Sequence, residues 1–396
     1  MKVFFFVSEY DRYNGGQRSL KQLLIGLPAE GIEPTVIFPS AGRCSQAFED
    51  AGINSKVLIA PDRLLQFGQH LMHTSLWRKM FDFIVYILPY SLKVYRLMLA
   101  NNVNILHCNT SRSLLLASPI PFLFRKKIIW HVRGELNGLS KSLKSICEGL
   151  ATSIWLVAAK LKNQLSKHAA KKLFVIYNGI DASSFSTINA KHKSFDGNNV
   201  TICTFAAVTP FKGYHHLIDA AIIVNNHYYD KKIKFLAVGD LFDQEYLEFL
   251  NNKISGSKLN NMEFLGWKDN PLEYYNMADI VVLPTVNSET LVLNGKSLKI
   301  QTGEGLPRTV LEAMFLNKVV VATIVAGSPE QIVDGESGFL VNPSNKRHLA
   351  ETIIKAIDMP FELRDKMQKA AGIRAREVFG AKKLTAIAAQ KLKTLK

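Results

Sequence analysis

Cysteine is scarce: four in 396 residues, at positions 44, 108, 147 and 203, with no C-x-x-C pair and no histidine at zinc-finger spacing. That excludes a disulfide scaffold and a zinc finger and implies a reducing compartment. Acid is short too, with 33 aspartates and glutamates against 49 lysines and arginines, a surplus of 16 positive charges. Such a balance favours a phosphorylated ligand, a polyanion or an anionic membrane surface as partner. An interleaved aromatic and basic motif for nucleic acid is missing, so no nucleic-acid partner is expected. Long apolar runs are missing as well. MFDFIVYILPY at 80–90 carries Asp82 and Pro89 and is far shorter than the ~20 residues that span a bilayer, so no transmembrane helix is expected. The opening MKVFFFVSEY has no small-residue cleavage site and reads as a buried first strand instead of a signal peptide.

What is present is an ordinary globular composition, 47% hydrophobic and 21% charged, in a chain long enough for two domains. Short β-branched runs alternate with helical patterns: KVFFFV, SLKQLLIGLPAEG, PTVIFP, then NILHCN and KIIWHV. A second series runs through NVTICTFAAV, IKFLAVGD, MEFLGW, DIVVLP and KVVVATIVAG. This alternation predicts βαβ units and two parallel sheets in tandem. The turn-rich stretch 174–199 marks the boundary, giving domains at 1–177 and 178–375 and a basic helical segment at 376–396. VNSETLVLNGKSLKIQTG, 286–303, shows no clear period and reads as an inserted mobile loop. Its NGKS ends like a phosphate-binding loop, but Thr290 stands where that motif needs glycine.

In parallel sheets, ligands gather at the carboxyl ends of strands, and phosphates favour helix N-termini. EGLPRTVLEAMF follows such a strand end, with Pro307 near the first turn and Glu304 and Glu312 set about 12 Å apart along a helical path. Both could touch one extended ligand. A dipole-favoured acid and an exposed helical glutamate account for the pair equally well. AAVTPFKGYHHLIDAA supplies the complementary charge, Lys212, before a helix; a solvated loop lysine is the plainer account of that residue alone. His131 ends a strand ahead of Arg133, Gly134 and Glu135, while His107 reads as a supporting or packing residue.

The ordered elements NGID, TPFKG, VGD, FLGW, ADIVVLP, EGLPRTVLEAM and AGSPEQIVDGESGFLV, spread over most of the second half, resemble the family-four retaining glycosyltransferases, including their paired glutamates. YNGGQRSLKQLLIGLPAEGIEPTVIFP, LHCN and IIWHVRGE resemble the same family's first half more loosely. The resemblance implies an α/β fold of GT-B architecture, with two Rossmann-like, doubly wound domains facing a central cleft. It implies transfer of a sugar from a nucleoside diphosphate donor to an acceptor hydroxyl, with His131 and Glu304 at the reacting sugar. Lys212 and the amides of Arg308, Thr309 and Val310 would hold the diphosphate, Glu312 the ribose hydroxyls, and Gly239 would line the donor site. Gly15 and Gly16 would let the opposite backbone approach the phosphates.

No metal or cofactor is expected, because a lysine and a helix end can stabilise the departing diphosphate. Ala207 stands where the family carries arginine and Pro307 where it often carries glycine, so Arg308 or Arg18 is expected to meet the remaining phosphate charge. LWRKMFDFIVYILPYSLKVYRLM, 76–98, suggests a saccharide or lipid-linked acceptor met by a cytoplasmic protein lying on the inner face of an anionic membrane; an amphipathic core helix explains the run equally well. The competing readings are a nucleotide-sugar epimerase of the same architecture and a non-catalytic polyanion-binding protein.

Overall fold

The structure, a computed structural model, describes residues 1–11, 13–66, 75–181, 185, 198–257 and 259–395. It divides into two compact units, Met1–Gly179 with Ala381–Lys396, and Ile180–Gly380.

The first unit is built on β1 (Lys2–Phe6), β2 (Glu33–Phe38), β3 (Ser55–Val57), β4 (Ile105–Cys108), β5 (Lys127–Val132), β6 (Ser153–Leu156) and β7 (Leu173–Val175), in the order β3-β2-β1-β4-β5-β6-β7. All pairs are parallel. The second holds β8 (Asn199–Phe205), β9 (Lys232–Val238), β10 (Met262–Gly266), β11 (Ile280–Leu283), β14 (Val319–Thr323) and β15 (Phe339–Val341), in the order β10-β9-β8-β11-β14-β15. Parallel strands need crossover helices, and helices on both faces leave no wet side, so strands such as FFF, IVVL and VVVA are continuous apolar runs buried throughout. Strand order reverses between β1 and β4 and again between β8 and β11, where ligand crevices form outside the carboxyl ends.

Two expectations are corrected, and one run proves longer than it reads. Residues 286–303 are not an irregular loop: β12 (Ser288–Leu293) and β13 (Lys296–Gln301) form an antiparallel hairpin. Asn294 and Gly295 turn it with φ of 48° and 76°, the doubly left-handed turn that matches strand twist and that Asn-Gly favours. The segment from 376 does not stand apart. Helix Phe361–Phe379 belongs to the second unit, and helix Ala381–Lys393 returns to the first, where Leu384, Ala388 and Leu392, one face at four-residue spacing, join the core with Leu20 and Leu24. Finally, Trp77–Ala100 is a 24-residue helical span with a mean hydropathy of 1.4, long and apolar enough by composition to cross a membrane, with 28% of it buried. It packs on the first unit: Tyr90, Val94 and Met98 are buried, and Asp82 pairs with Arg63 at 3.1 Å. Pro89 lacks the donor an α-helix needs, and the preceding turn Phe83–Ile87 widens to a π-helix in which Leu88 N donates to Phe83 O.

Candidate active site

The loops after β8 and β11 meet at a glycine. TPFK makes a single 3₁₀ turn, and Gly213 closes it at φ 73°, with its Cα so near Pro284 that a Cβ would lie 2.0 Å from the carbonyl oxygen. Val286 N donates to Phe211 O at 2.9 Å, tying the two loops together. Lys212 is thereby held beside the loop that leaves the hairpin, and its ammonium forms an ion pair with Glu304, residues 92 apart in sequence. Both side chains are largely buried, 14% and 17% exposed. Glu304 N donates to Thr302 Oγ1 at 3.1 Å, which fixes the loop in front of the helix.

That helix, Arg308–Phe315, begins with Pro307 as N-cap and no side chain bonded across its end. Its first amides and dipole suit an anion. Val310, Leu311, Ala313 and Met314 anchor it in the core. Glu312 is 6% exposed, and its place is set by neighbours: Tyr275 OH donates to Oε2 at 3.0 Å, while Arg308 Nε and Nη2 reach Oε1 at 3.1 and 3.0 Å. The Arg308 guanidinium, expected to meet a phosphate, is therefore turned along its own helix onto Glu312. Thr309 Oγ1 donates to Phe205 O at 2.5 Å, and the Phe205 ring stacks on Tyr275 with centroids 3.6 Å apart. Gly239 sits where a Cβ would come within 2.1 Å of Ala206 O, so the end of β9 can pass close to the end of β8 only as glycine. Lys212, Gly239, Glu304, Arg308, Thr309, Val310 and Glu312 thus all stand at carboxyl ends of neighbouring strands in the second unit.

Gly15, Gly16 and His131 lie in the first unit, at the carboxyl ends of β1 and β5. The glycines open helix Gly15–Gly26, and Asn14 Oδ1 accepts from Gly16 N at 3.0 Å, occupying one of the amides assigned to phosphate. A Cβ on Gly16 would meet only ordinary contact at 3.4 Å, so this unit's own packing does not demand glycine there. His131 is buried and exchanges a hydrogen bond between its Nδ1 and His107 Nε2 at 3.0 Å. Burial, and then the Arg133 guanidinium, hold both imidazoles well below the ordinary value of 6.5. The pair is neutral, and His131 Nε2 has no partner among the described residues. His131 lines a small cleft with Ser19, Arg133, Tyr177 and Asn178; Arg133 is held there by Asn109 and Asn178 at 2.8 and 2.9 Å.

Sequence reading passed over Tyr275, whose signal is only a tyrosine one helix before a strand, and Glu9, an acid placed directly after an apolar first strand. Burial raises the Glu9 carboxyl, and its Oε2 finds no partner among the described residues.

Residues 13–184 match the family described as Glycosyltransferase Family 4, and residues 185–374 match Glycosyl transferases group 1. The chain belongs to the group 1 glycosyltransferases. It is 27% identical over 282 residues to a capsular polysaccharide biosynthesis glycosyltransferase, CapM, of Staphylococcus aureus, covering 64% of this chain and 67% of that one. Against the uncharacterized glycosyltransferase MJ1178 of Methanocaldococcus jannaschii it is 26% identical over 205 residues, 51% of this chain and about half, 48%, of that protein. The crystal structure of Anabaena HepE, in complex with UDP and glucose, superposes with a TM-score of 0.78 over 100% of both chains at 21% identity, which shows the fold: GT-B. In this glycosyltransferase the division between the two family matches falls just beyond Gly179, where the chain enters its second unit.

Proposed function

We propose that this glycosyltransferase moves a sugar from a nucleoside diphosphate donor to an acceptor hydroxyl with retention of anomeric configuration, in the synthesis of a polysaccharide or lipid-linked glycan. The observation that carries the reading is the Lys212–Glu304 pair at the β8/β11 reversal, a phosphate-seeking cation and a hydroxyl-seeking carboxylate side by side as the two halves of a sugar diphosphate require. Lys212 and the amides of Arg308 to Val310 take up the negative charge that grows on the departing diphosphate. Glu304 accepts from hydroxyls of the sugar, and Glu312, steadied by Tyr275 and Arg308, from the ribose. His131, neutral and with its Nε2 unpartnered among the described residues, meets the sugar or the incoming hydroxyl. The transfer step uses no metal. The complex of HepE with UDP and glucose supports a nucleoside diphosphate donor, and the naming of CapM supports a polysaccharide product.

The acceptor lies at a cytoplasmic, anionic membrane surface. This rests on the outer face of the apolar helical span, where Trp77 is 80% exposed and Phe81 and Ile84 lie open beside Arg78 and Lys79.

The test is a screen of nucleotide sugars for thermal stabilisation and for diphosphate release with and without acceptors. Diphosphate affinity of Lys212→Ala should fall by about 1–3 kcal/mol, the loss of one charge-assisted contact. Stabilisation by no nucleotide sugar, or an unchanged affinity in the variant, defeats the reading.

A further inference from the structure

Three metal-ligating side chains converge in the second unit on groups for which the sugar transfer has no use. His215 and His216 occupy the first turn of helix Tyr214–His227, and Glu289 projects from β12 of the hairpin. His215 Nε2 lies 2.6 Å from Glu289 Oε1, and His216 Nε2 lies 2.8 Å from Oε2. One donor atom of each lies within 4.8 Å of the others, a closeness that this trio shows among the described residues. Two supports hold the set in place. Tyr246 OH meets His215 Nδ1 at 2.7 Å, and Ser344 Oγ donates to Glu289 Oε2 at 2.5 Å.

We propose that His215, His216 and Glu289 bind a divalent transition metal, with Zn²⁺ as the best match to two imidazoles and one carboxylate. Such a set supplies three protein ligands and leaves a fourth position for water. With metal–ligand bonds of about 2.0–2.1 Å, tetrahedral ligand atoms stand about 3.3 Å apart, so the contacts of 2.6 and 2.8 Å from the two imidazoles to the carboxylate have to open by roughly 0.5–0.7 Å, and all three ligand atoms already lie within 4.8 Å of one another. Tyr246 is the outer partner such a site needs, because a hydroxyl on Nδ1 fixes the ring and directs the Nε2 lone pair at the ion. His215 is buried, while His216 and Glu289 are each 17% exposed at the side chain, which gives the ion a way in. Lys253, whose charge acts on His215, is paired with Asp219 at 2.7 Å. The metal fastens the hairpin to the helix that follows Lys212, and the hairpin runs on into Thr302 and Glu304. It is a clamp on the loop that carries Glu304 and takes no part in the transfer.

The experiment is calorimetric titration of the chelator-treated full chain with ZnCl₂, with melting temperature read in parallel. One equivalent should bind and raise the melting temperature. Glu289→Gln and His216→Ala should each weaken binding at least tenfold, and Tyr246→Phe by about 10–100-fold, the cost of losing an outer-shell partner. His216→Ala is the variant to rely on if Glu289→Gln misfolds, since His216 is partly exposed and outside the core. Less than one equivalent bound, or equal affinity in His216→Ala and the wild type, overturns the assignment. The result is independent of donor binding, so it stands or falls apart from the transferase reading.

Discussion

Two glutamates eight positions apart have the same chemistry and different surroundings, and the difference predicts different kinetics. Glu304 sits on a loop, paired to one flexible lysine, and is proposed to face the sugar that reacts. Small errors of position there matter most at the transition state, so Glu304→Gln should chiefly lower turnover. Glu312 is packed inside the helix and fixed by three hydrogen bonds from Tyr275 and Arg308; its proposed ribose contact is remote from the bond being broken. Glu312→Ala should chiefly raise the donor KM. Steady-state kinetics on both, with melts to check folding, decide this; if both variants lose stability alone, the carboxylates are structural. The histidines carry a pH signature. His107 and His131 stay neutral in the fold, whereas in the unfolded chain they take up protons around 6.5. Below that pH the unfolded state binds more protons, so their contribution to stability is complete above about 6.5 and is lost as pH falls toward the lower folded values. His131→Gln should flatten the fall of melting temperature between pH 6.5 and 5, and an unchanged slope would refute the buried neutral pair.

At the scale of elements, the site depends on turns that only glycine can make. Gly213 has a positive φ and no room for a Cβ beside Pro284 O. Gly213→Ala should lower the melting temperature and the diphosphate affinity together, because the loop carrying Lys212 cannot keep its shape. Lys212→Ala should lower affinity alone, and comparing the two by calorimetry and melting separates loop geometry from charge. The hairpin shows how an element can be misread: SETLVL and KSLKIQ have few alternating polar residues, and the signal was the Asn-Gly between them. Burial along β12 does alternate, with Leu291 and Leu293 turned to the core, but β13 is exposed except at Ile300, so the second strand carries no such period.

For the whole molecule, the surplus of 16 positive charges and the exposed face of the helical span act together. Binding to anionic vesicles should exceed binding to neutral ones and weaken with salt, since exposed charges are screened over about 10 Å at 0.1 M. Trp77→Ser with Phe81→Ser should abolish most of it without lowering the melting temperature, because both side chains are outside the core. Equal sedimentation with neutral and anionic vesicles, or no effect of the double substitution, removes the membrane from the proposal.

The parallel sheets and the place of Lys212, Glu304 and Glu312 were legible in the sequence, because strands buried on both faces must be continuously apolar and strand ends must be followed by loops and helix starts. β1, β4, β5, β8, β11 and β14 all lie inside the runs picked out by that rule, and β9 does so except for its first residue, Lys232. Partners distant in sequence were not legible. Nothing local says that Arg308 turns onto Glu312, that Tyr275 steadies the same carboxylate, that His107 holds His131, or that Glu289 reaches two histidines more than 70 positions away. The return of Ala381–Lys393 to the first unit was hidden for the same reason: its apolar stripe specifies that it must be covered and leaves open by what. Local sequence fixes periodicity and turn chemistry through short-range sterics and solvation, whereas which polar groups satisfy one another is settled by packing, when the fold brings buried donors and acceptors within about 3 Å and leaves them no water to turn to.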